Sequence, residues 1–180
     1  RMDRYKYYLN KLLDENKAYR CFCSKSDVEN YKKDSYALYP GTCRNLTSEE
    51  VKSKLNQWIS FTIRIKLEEG ITAFDDLVYG TINTNNKELD DFIIARSDGS
   101  PTYNFTVVVD DFEMEISHVI RGDDHLSNTP KQLILYESLE LNPPIFAHLP
   151  MILGPDKIRL SKRHGAPGVQ SFADQGYFPD

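Results

Sequence analysis

The sequence lacks any long apolar segment and has no excess of basic residues. No apolar run approaches the roughly eighteen residues of a membrane-spanning helix, and no signal peptide is recognisable. Lys and Arg number 22 against 27 Asp and Glu, so the net charge at pH 7 is −5. We therefore expect a cytoplasmic protein with no membrane and no DNA partner, in which any contact with RNA comes from a local basic patch.

The length of 180 residues, 40% of them hydrophobic, is enough to bury the core of one large domain or two small ones. One stretch of positive charge interleaved with tyrosines is a candidate RNA-binding patch, and the alternative is an ordinary solvated helix face. Its basic members are Lys17, Arg20, Lys25, Lys32, Lys33 and Arg44.

Cysteine is scarce, and its spacing is informative. Cys21-x-Cys23 is followed by Tyr39-x-x-x-Cys43. Three cysteines in a cytoplasmic protein do not indicate a disulfide framework. A tetrahedral zinc site takes four ligands, so three thiolates leave one position to another residue. On the residues alone, free thiols in a small core remain the alternative.

The apolar periodicity predicts helices mixed with strands. An amphipathic helix is predicted over 4–19, and the capping boxes Ser26-x-x-Glu29 and Thr47-x-x-Glu50 each predict the start of a short helix. The predicted strands follow the alternation of Phe61, Ile63, Ile65 and Leu67 and continue at Leu77–Asn83, Phe92–Arg96 and Thr102–Val109, with Ser97–Ser100 as a hairpin turn.

From Glu115 onwards the predicted order is strand, helix, strand. The strands are Ile116–Arg121 and Ile145–Leu153, and the helix begins near Ser127–Thr129 with Pro130 in its first turn. Parallel strands joined by a crossover helix are typical of an α/β nucleotide-binding sheet, whose ligands lie at the carboxyl ends of the strands.

A basic loop, Lys157–Gly165, follows the last predicted strand. Lys162 can place a point charge on a leaving pyrophosphate, and Arg159 and Arg163 can clamp non-bridging phosphate oxygens. Taken alone the pattern is weak, because a solvated turn has the same composition.

Three segments in order resemble the catalytic domain of class I aminoacyl-tRNA synthetases, in the glutamyl branch. Ser161-Lys162-Arg163 is similar to the second half of the KMSKS signature, with Arg159 where the family usually has lysine. The other two segments are Ser100–Phe105 with Val107–Asp111, similar to the family's strand below the amino-acid pocket, and Val119–Gln132. The resemblance implies an α/β fold: the second half of a Rossmann-type class I synthetase catalytic domain with a mixed α+β acceptor-stem-binding insert.

The resemblance also assigns the amino-acid pocket. It implies that Arg121 binds the side chain of glutamate, as a guanidinium fork can take a carboxylate bidentately, and that Tyr103 binds the backbone groups. The alternatives are a structural ion pair of Arg121 with Asp110 or Asp111, and a merely buried tyrosine.

The ATP site is assigned in the same way, with Lys162 as the catalytic residue. For Asp123, Asp124 and His125, placed near adenosine, the alternative is a charge cluster at a helix N-terminus. The implied ATP-binding residues are Asp123, Asp124, His125, Arg159, Ser161, Lys162 and Arg163.

For the metal, the resemblance implies a structural zinc in the insert, bound by Cys21, Cys23, Tyr39 and Cys43. Some relatives use tyrosine as the fourth ligand in this pattern. Others use a histidine two positions after the last cysteine, where this chain has Asn45.

The implied activity is ATP-dependent ligation of L-glutamate to its tRNA through glutamyl-adenylate, with magnesium accompanying ATP and the acceptor end of tRNA as partner. The expected parts are 1–20, the end of the first catalytic half; 21–105, the insert; and 106–180, the second half. No His-x-Gly-His element is present, and no anticodon-binding region is expected within the chain, so we expect the isolated chain to be inactive. A paralogue that glutamylates a modified tRNA base, a glutaminyl relative and a non-catalytic zinc-containing RNA-binding module remain alternatives.

Overall fold

The computed structural model describes residues 1–34, 39–151, 153, 173–174 and 176–177, and gives no side-chain detail for 31–34. Within them, no helix is long and apolar enough to cross a bilayer. The helices are α1 Met2–Asp14, α2 Lys25–Asp34, α3 Ser48–Asn56, α4 Tyr103–Glu113 and α5 Thr129–Leu139, with 3₁₀ turns at Asn86–Glu88 and Asp123–Asn128. The strands are β1 Ala18–Cys21, β2 Thr62–Ile65, β3 Ile71–Asp76, β4 Gly80–Asn85, β5 Ile93–Ala95, β6 His118–Gly122 and β7 Ile145–Leu149.

The described strands form two sheets. The first has the order β1-β2-β5 and is antiparallel. The second has the order β4-β3-β7-β6, in which β3, β7 and β6 run parallel and β4 is antiparallel to β3. The hairpin β3–β4 therefore belongs to the same sheet as the two strands of the predicted β-α-β unit.

The main core lies where α1, α4 and α5 pack against one another and against the first sheet. Leu12, Ile65, Phe105, Val108 and Leu135 each have an exposed fraction of 0%. Complete burial of such a side chain contributes about 1.5–3 kcal/mol, so these contacts fix where α4 and α5 lie relative to the sheets.

Helix α1 buries the predicted apolar stripe but ends earlier than predicted. It ends at Asp14, and Asn16 follows in the left-handed region with φ 56°. Asparagine tolerates this conformation better than most residues, so it can reverse the chain at a helix end. The residues that follow form β1, so the prediction of helix as far as 19 is wrong.

The two predicted capping boxes have different outcomes. Thr47 and Glu50 cap α3 as predicted, because each side chain accepts a hydrogen bond from the other's backbone N–H. Helix α2 begins at Lys25, so Ser26 is already inside it. Its reciprocal bonds join Ser24 and Asp27, at 2.8 Å and 3.1 Å; Ser24 is thus the true cap.

The predicted strand Thr102–Val109 is wrong, because these residues lead into and form α4. Phe105, Val108 and Val109 repeat at helical spacing and are all buried. The β-branched residues favoured a strand locally, but burial of this stripe in the core outweighs that preference. The family resemblance placed a strand here too, and that expectation is corrected. The turn after Arg96 is present: Arg96 N donates to Ser100 O at 2.8 Å, and Gly99 has φ +80°.

The predicted strand Leu77–Asn83 divides at a turn. Residues 77–79 connect β3 to β4, and the Asp76 carboxylate accepts hydrogen bonds from Val78 N and Tyr79 N at 3.0 Å and 3.1 Å. An aspartate that bonds the backbone two and three residues ahead is a usual turn former.

The predicted β-α-β unit is confirmed, with shorter strands. β6 pairs in parallel with β7 from His118↔Ile145 to Gly122↔Leu149, and α5 crosses between them with Pro130 in its first turn. The carboxyl ends of β6 and β7 therefore meet at one edge of the sheet, beside the end of β3.

Candidate active site and candidate metal centre

Three side chains on neighbouring parallel strands meet at this edge. They are Asp76 at the end of β3, His148 in β7 and Arg121 in β6. Ligands of open α/β sheets bind outside the carboxyl ends of the parallel strands, so this is the candidate active site.

Arg121 is half-buried, and its hydrogen bonds go to neutral acceptors. Nε donates to His148 Nε2 at 3.0 Å, and Nη2 donates to Thr129 Oγ1 at 2.8 Å and to Gln132 Oε1 at 2.9 Å. Burial lowers the pKa of Arg121 from its ordinary value. In the described part of the chain, no carboxylate oxygen lies within 4.0 Å of this guanidinium.

The structural ion pairs considered from the sequence are therefore not formed. Asp110 instead accepts the Tyr5 hydroxyl at 2.9 Å and pairs with Arg1 at 3.2 Å. Burial raises the pKa of Asp111, partly offset by the charge of Arg121. Asp111 is close enough to interact but does not neutralise the guanidinium by direct contact.

Tyr103 begins α4 and is 51% exposed, so it is not the buried tyrosine of the alternative reading. Its ring centre lies 6.1 Å from that of His125, and it acts to raise the pKa of Arg121. Tyr103 thus lies on the open side of the site, next to both Arg121 and His125.

The acidic pair and the histidine after β6 form the 3₁₀ helix Asp123–Asn128. Asp123 Oδ2 accepts the Tyr79 hydroxyl at 2.8 Å, which ties this turn to the tip of the β3–β4 hairpin. His125 Nδ1 lies 3.2 Å from Asn128 Nδ2. Because an amide nitrogen can only donate, Nδ1 is the acceptor in this contact.

The remaining predicted ATP-binding residues, Arg159, Ser161, Lys162 and Arg163, lie outside the described residues.

The predicted metal ligands are brought together. The Sγ atoms of Cys21, Cys23 and Cys43 lie within 4.8 Å of one another. Tyr39 Oη lies 3.2 Å from Cys21 Sγ and 3.5 Å from Cys23 Sγ, and Cys23 Sγ is 3.7 Å from Cys43 Sγ. Zn–S bonds of about 2.3 Å in a tetrahedron place two sulfurs about 3.8 Å apart, so the donor set fits zinc.

The surroundings of the cluster also suit a metal. Burial acts to raise the pKa of Cys21, but hydrogen bonds from Tyr39, the Cys23 backbone and Arg64 outweigh it and hold that pKa below its ordinary value. Burial raises the pKa of the Cys23 thiol to about 11, and burial followed by the neighbouring thiols raises that of Tyr39. Cys23 and Tyr39 therefore hold protons that metal binding would displace.

Arg64 supplies positive charge beside the ligands. Its guanidinium carbon lies 3.8 Å from the centre of the Tyr39 ring, and Nη1 donates to Asp91 O at 2.6 Å. Its buried Nε has no hydrogen-bond partner in the described part of the chain. Three thiolates and a phenolate exceed the charge of Zn²⁺, so a buried guanidinium here offsets the excess.

The chain is similar to known proteins over its whole length. The family model described as tRNA synthetases class I (E and Q), catalytic domain, matches residues 1–180. The chain belongs to this synthetase family.

Two relatives named glutamate--tRNA ligase show how the chain relates to whole proteins. That of Coprothermobacter proteolyticus is 50% identical over 187 residues, covering 100% of this chain and 40% of its own length. That of Thermodesulfovibrio yellowstonii is 53% identical over 186 residues, covering 100% and 38%. The chain therefore spans about two fifths of the length of these synthetases.

Solved structures of the family agree in fold. A glutamate tRNA ligase from Elizabethkingia meningosepticum, in complex with its amino acid, superposes with a TM-score of 0.84 at 33% identity, covering 99% of this chain and 37% of that one. The glutamate-tRNA synthetase of Elizabethkingia anophelis gives a TM-score of 0.83 at the same identity. The predicted α/β class I synthetase catalytic fold is thereby confirmed.

Sequence reasoning missed several residues of the candidate site. Asp76, His148, Thr129 and Gln132 all bond to one another or to Arg121, and each is buried. A signal was present, since His148 stands in an otherwise apolar strand and a buried polar group requires partners. The pairing of β3 with β7, which brings Asp76 to His148, could not be predicted from the sequence.

The basic stretch proposed for RNA is not a uniform patch in the part of it that is described. Lys17 pairs with Glu15 and Glu140, Arg44 pairs with Asp91 at 2.7 Å, and Arg20 lies over the Phe61 ring. The structure does not describe the side chains of Lys32 and Lys33. These contacts favour the reading of ordinary structural and solvated charges.

Proposed function

We propose that the protein carrying this chain attaches L-glutamate to its tRNA through glutamyl-adenylate. The family and the glutamate--tRNA ligase relatives support the reaction. A related structure, a glutamate tRNA ligase in complex with its amino acid, supports an amino acid as substrate.

The state of Arg121 is the observation that carries the proposal. The guanidinium is half-buried, its hydrogen bonds with described residues go to neutral acceptors, and no described carboxylate contacts it directly. Such a group is costly unless an anion completes it. The side-chain carboxylate of glutamate is such an anion, and Tyr103 on the open side would receive the substrate's backbone groups.

In the first step, the α-carboxylate of glutamate attacks the α-phosphate of ATP, and the bond to the departing pyrophosphate breaks. Lys162 would stabilise the charge that develops on pyrophosphate, with Arg159, Ser161 and Arg163 holding the phosphates. Magnesium would accompany ATP. No protein nucleophile is required, because positioning and electrostatic stabilisation supply the acceleration.

In the second step, a terminal ribose hydroxyl of the tRNA attacks the acyl carbon of the adenylate. The ester forms, and AMP leaves. Asp123, Asp124 and His125 would lie beside the adenosine in both steps, as the turn that holds them follows β6 and is separated from Arg121 by Gly122 alone.

The zinc would be held by Cys21, Cys23, Tyr39 and Cys43, and when bound it cross-links β1 to the segment before α3. Its contribution is structural, because all four ligand positions are filled by protein side chains. The part of the fold around it, within 21–105, would hold the acceptor end of tRNA, through shape, stacking and phosphate contacts.

The experiment is ATP–pyrophosphate exchange by the complete protein that carries this chain. We expect exchange that depends on glutamate and on tRNA, with glutamine far less effective. Exchange indifferent to glutamate would contradict the proposal.

The acceptor atom is tested with tRNA that lacks its 3′-terminal adenosine. Ligation to the terminal ribose requires that nucleotide, so glutamate transfer should be abolished. Transfer that persists on the truncated tRNA would identify the base-modifying paralogue instead.

A further inference from the structure

A chain of hydrogen bonds links three parallel strands and ends on Arg121. Asp76 Oδ2 lies 2.6 Å from His148 Nδ1, and His148 Nε2 lies 3.0 Å from Arg121 Nε. The side chains of Asp76 and His148 both have exposed fractions of 0%. The ligation chemistry described above gives this buried pair no role.

Asp76 can only accept hydrogen bonds here. Its Oδ1 receives three backbone N–H groups, those of Val78, Tyr79 and His148, at 3.0, 3.1 and 3.2 Å. Burial acts to raise the pKa of Asp76, but the His148 ring and these amides outweigh it and lower the pKa to about 2. The carboxylate is therefore ionised at neutral pH, and the proton between Asp76 and His148 is on Nδ1.

The second ring nitrogen of His148, Nε2, is a hydrogen-bond acceptor. Arg121 Nε always carries a hydrogen and cannot accept, so His148 Nε2 must offer its lone pair across the 3.0 Å contact. The Thr129 hydroxyl, 3.1 Å from the same Nε2, accepts from Arg121 Nη2 and can donate to the ring. The Arg121 contact requires the neutral imidazole with its proton on Nδ1, and the Thr129 contact is compatible with it.

This tautomer determines how the guanidinium lies. His148 binds Nε, and Thr129 and Gln132 bind Nη2. These three hydrogen bonds along one edge of the guanidinium fix the orientation of its plane. The Phe146 ring, 5.6 Å from the guanidinium carbon, supports the same group. A guanidinium held in advance loses less freedom when it binds a carboxylate bidentately.

We propose that Asp76 and His148 are positioning residues, which fix the tautomer of the imidazole and thereby hold Arg121 in the orientation that binds the side-chain carboxylate of the amino-acid substrate. This inference rests on the proposed function, in which Arg121 receives that carboxylate. It makes Asp76, in the β3–β4 hairpin, part of the machinery that selects the amino acid.

The test compares Asp76→Asn with Asp75→Asn in the complete protein. The amide introduced by Asp76→Asn can still accept from the backbone, but its NH₂ faces Nδ1 and drives the proton to Nε2, against the Arg121 donor. Asp75 is the matched control, because it is exposed on the same strand and bonds to Thr81 at 2.6 Å instead.

We expect Asp76→Asn to raise KM for glutamate roughly tenfold or more, as loss of a supporting residue behind a ligand does, with KM for ATP unchanged. Asp75→Asn should leave both constants at wild-type values. Equal glutamate KM values in the two variants, in an enzyme that does use glutamate, would overturn the proposed relay, the hydrogen-bonded series Asp76–His148–Arg121.

A spectroscopic readout needs no substrate. ¹⁵N NMR of the wild-type imidazole should show a protonated Nδ1 and an unprotonated Nε2 for His148. A proton on Nε2 would overturn the proposal whatever the enzyme's substrate. Wild-type protein with this tautomer but no glutamate-dependent exchange would refute the proposed function and, with it, the substrate role given to the relay.

A second pair of variants tests the same proposal if Asp76→Asn does not fold. His148→Gln keeps an amide oxygen able to accept from Arg121, whereas His148→Leu removes the acceptor at similar volume. We expect the rise in glutamate KM to be smaller for His148→Gln than for His148→Leu. Equal effects would show that His148 acts only through packing, and the relay would be wrong.

Discussion

Replacement of Arg121 by lysine tests the centre of the proposed site. Arg121→Lys keeps the positive charge but removes the planar fork, including the Nε and Nη2 bonds to His148, Thr129 and Gln132. A point charge can retain one contact to a carboxylate and loses the second. Loss of a charge-assisted bond in a partly dry site, together with the unpaired acceptors left behind, costs about 2–4 kcal/mol.

That free energy corresponds to a fall of roughly 30- to 1,000-fold in kcat/KM for glutamate, since about 1.4 kcal/mol is a factor of ten. The assay is steady-state pyrophosphate exchange at varied glutamate and saturating ATP, repeated at varied ATP. KM for ATP should change little. Arg96→Lys is the matched control, because Arg96 is exposed and its side chain bonds, among the described residues, to the turn at Ser100 and Pro101. Wild-type kcat/KM for glutamate in Arg121→Lys would refute the assignment of Arg121.

Three further results are expected. Purified protein should contain about one zinc per chain, and Cys43→Ser should lower that content while Ser53→Ala does not; metal-free protein prepared without chelators would exclude the site. Thr47→Ala should reduce the free energy of unfolding by about 1 kcal/mol through loss of the α3 capping box, and an unchanged urea midpoint would contradict this. The Asp76 carboxylate, with its pKa lowered to about 2, should contribute stability above its unfolded pKa of about 4, lost as pH falls towards 2; Asp76→Asn should show a smaller loss across that range, measured by unfolding at each pH.

The motifs of the chain were sufficient to identify the family and to predict that three cysteines and Tyr39 lie together, and the reason is local chemistry. Cysteines two residues apart, or a tyrosine four before a cysteine, can converge through a single turn, and their chemistry permits few other uses. The Thr47 capping box and the β-α-β unit were likewise predictable, because each depends on residues close together in sequence or on one stretch of periodicity.

The strand predicted at Thr102–Val109 shows where such reasoning fails. Consecutive valines favour extended backbone when considered alone. The side chains of Val108 and Val109 are buried instead in the core formed with α1 and α5, which lie outside this segment. A preference of a few tenths of a kcal/mol per residue is overcome by burial worth several times more.

The sequence by itself determined the chemical inventory: a guanidinium at a strand end, three thiols with a phenol, and a basic loop typical of phosphate chemistry. Only the tertiary structure decided what surrounds Arg121. Its partners come from β7 and α5, and the aspartate behind His148 comes from a hairpin 45 positions earlier in the chain than Arg121. Whether a buried arginine meets a carboxylate or a neutral ring depends on which strands are neighbours. That arrangement is set by packing summed over the whole core, and no local pattern encodes it.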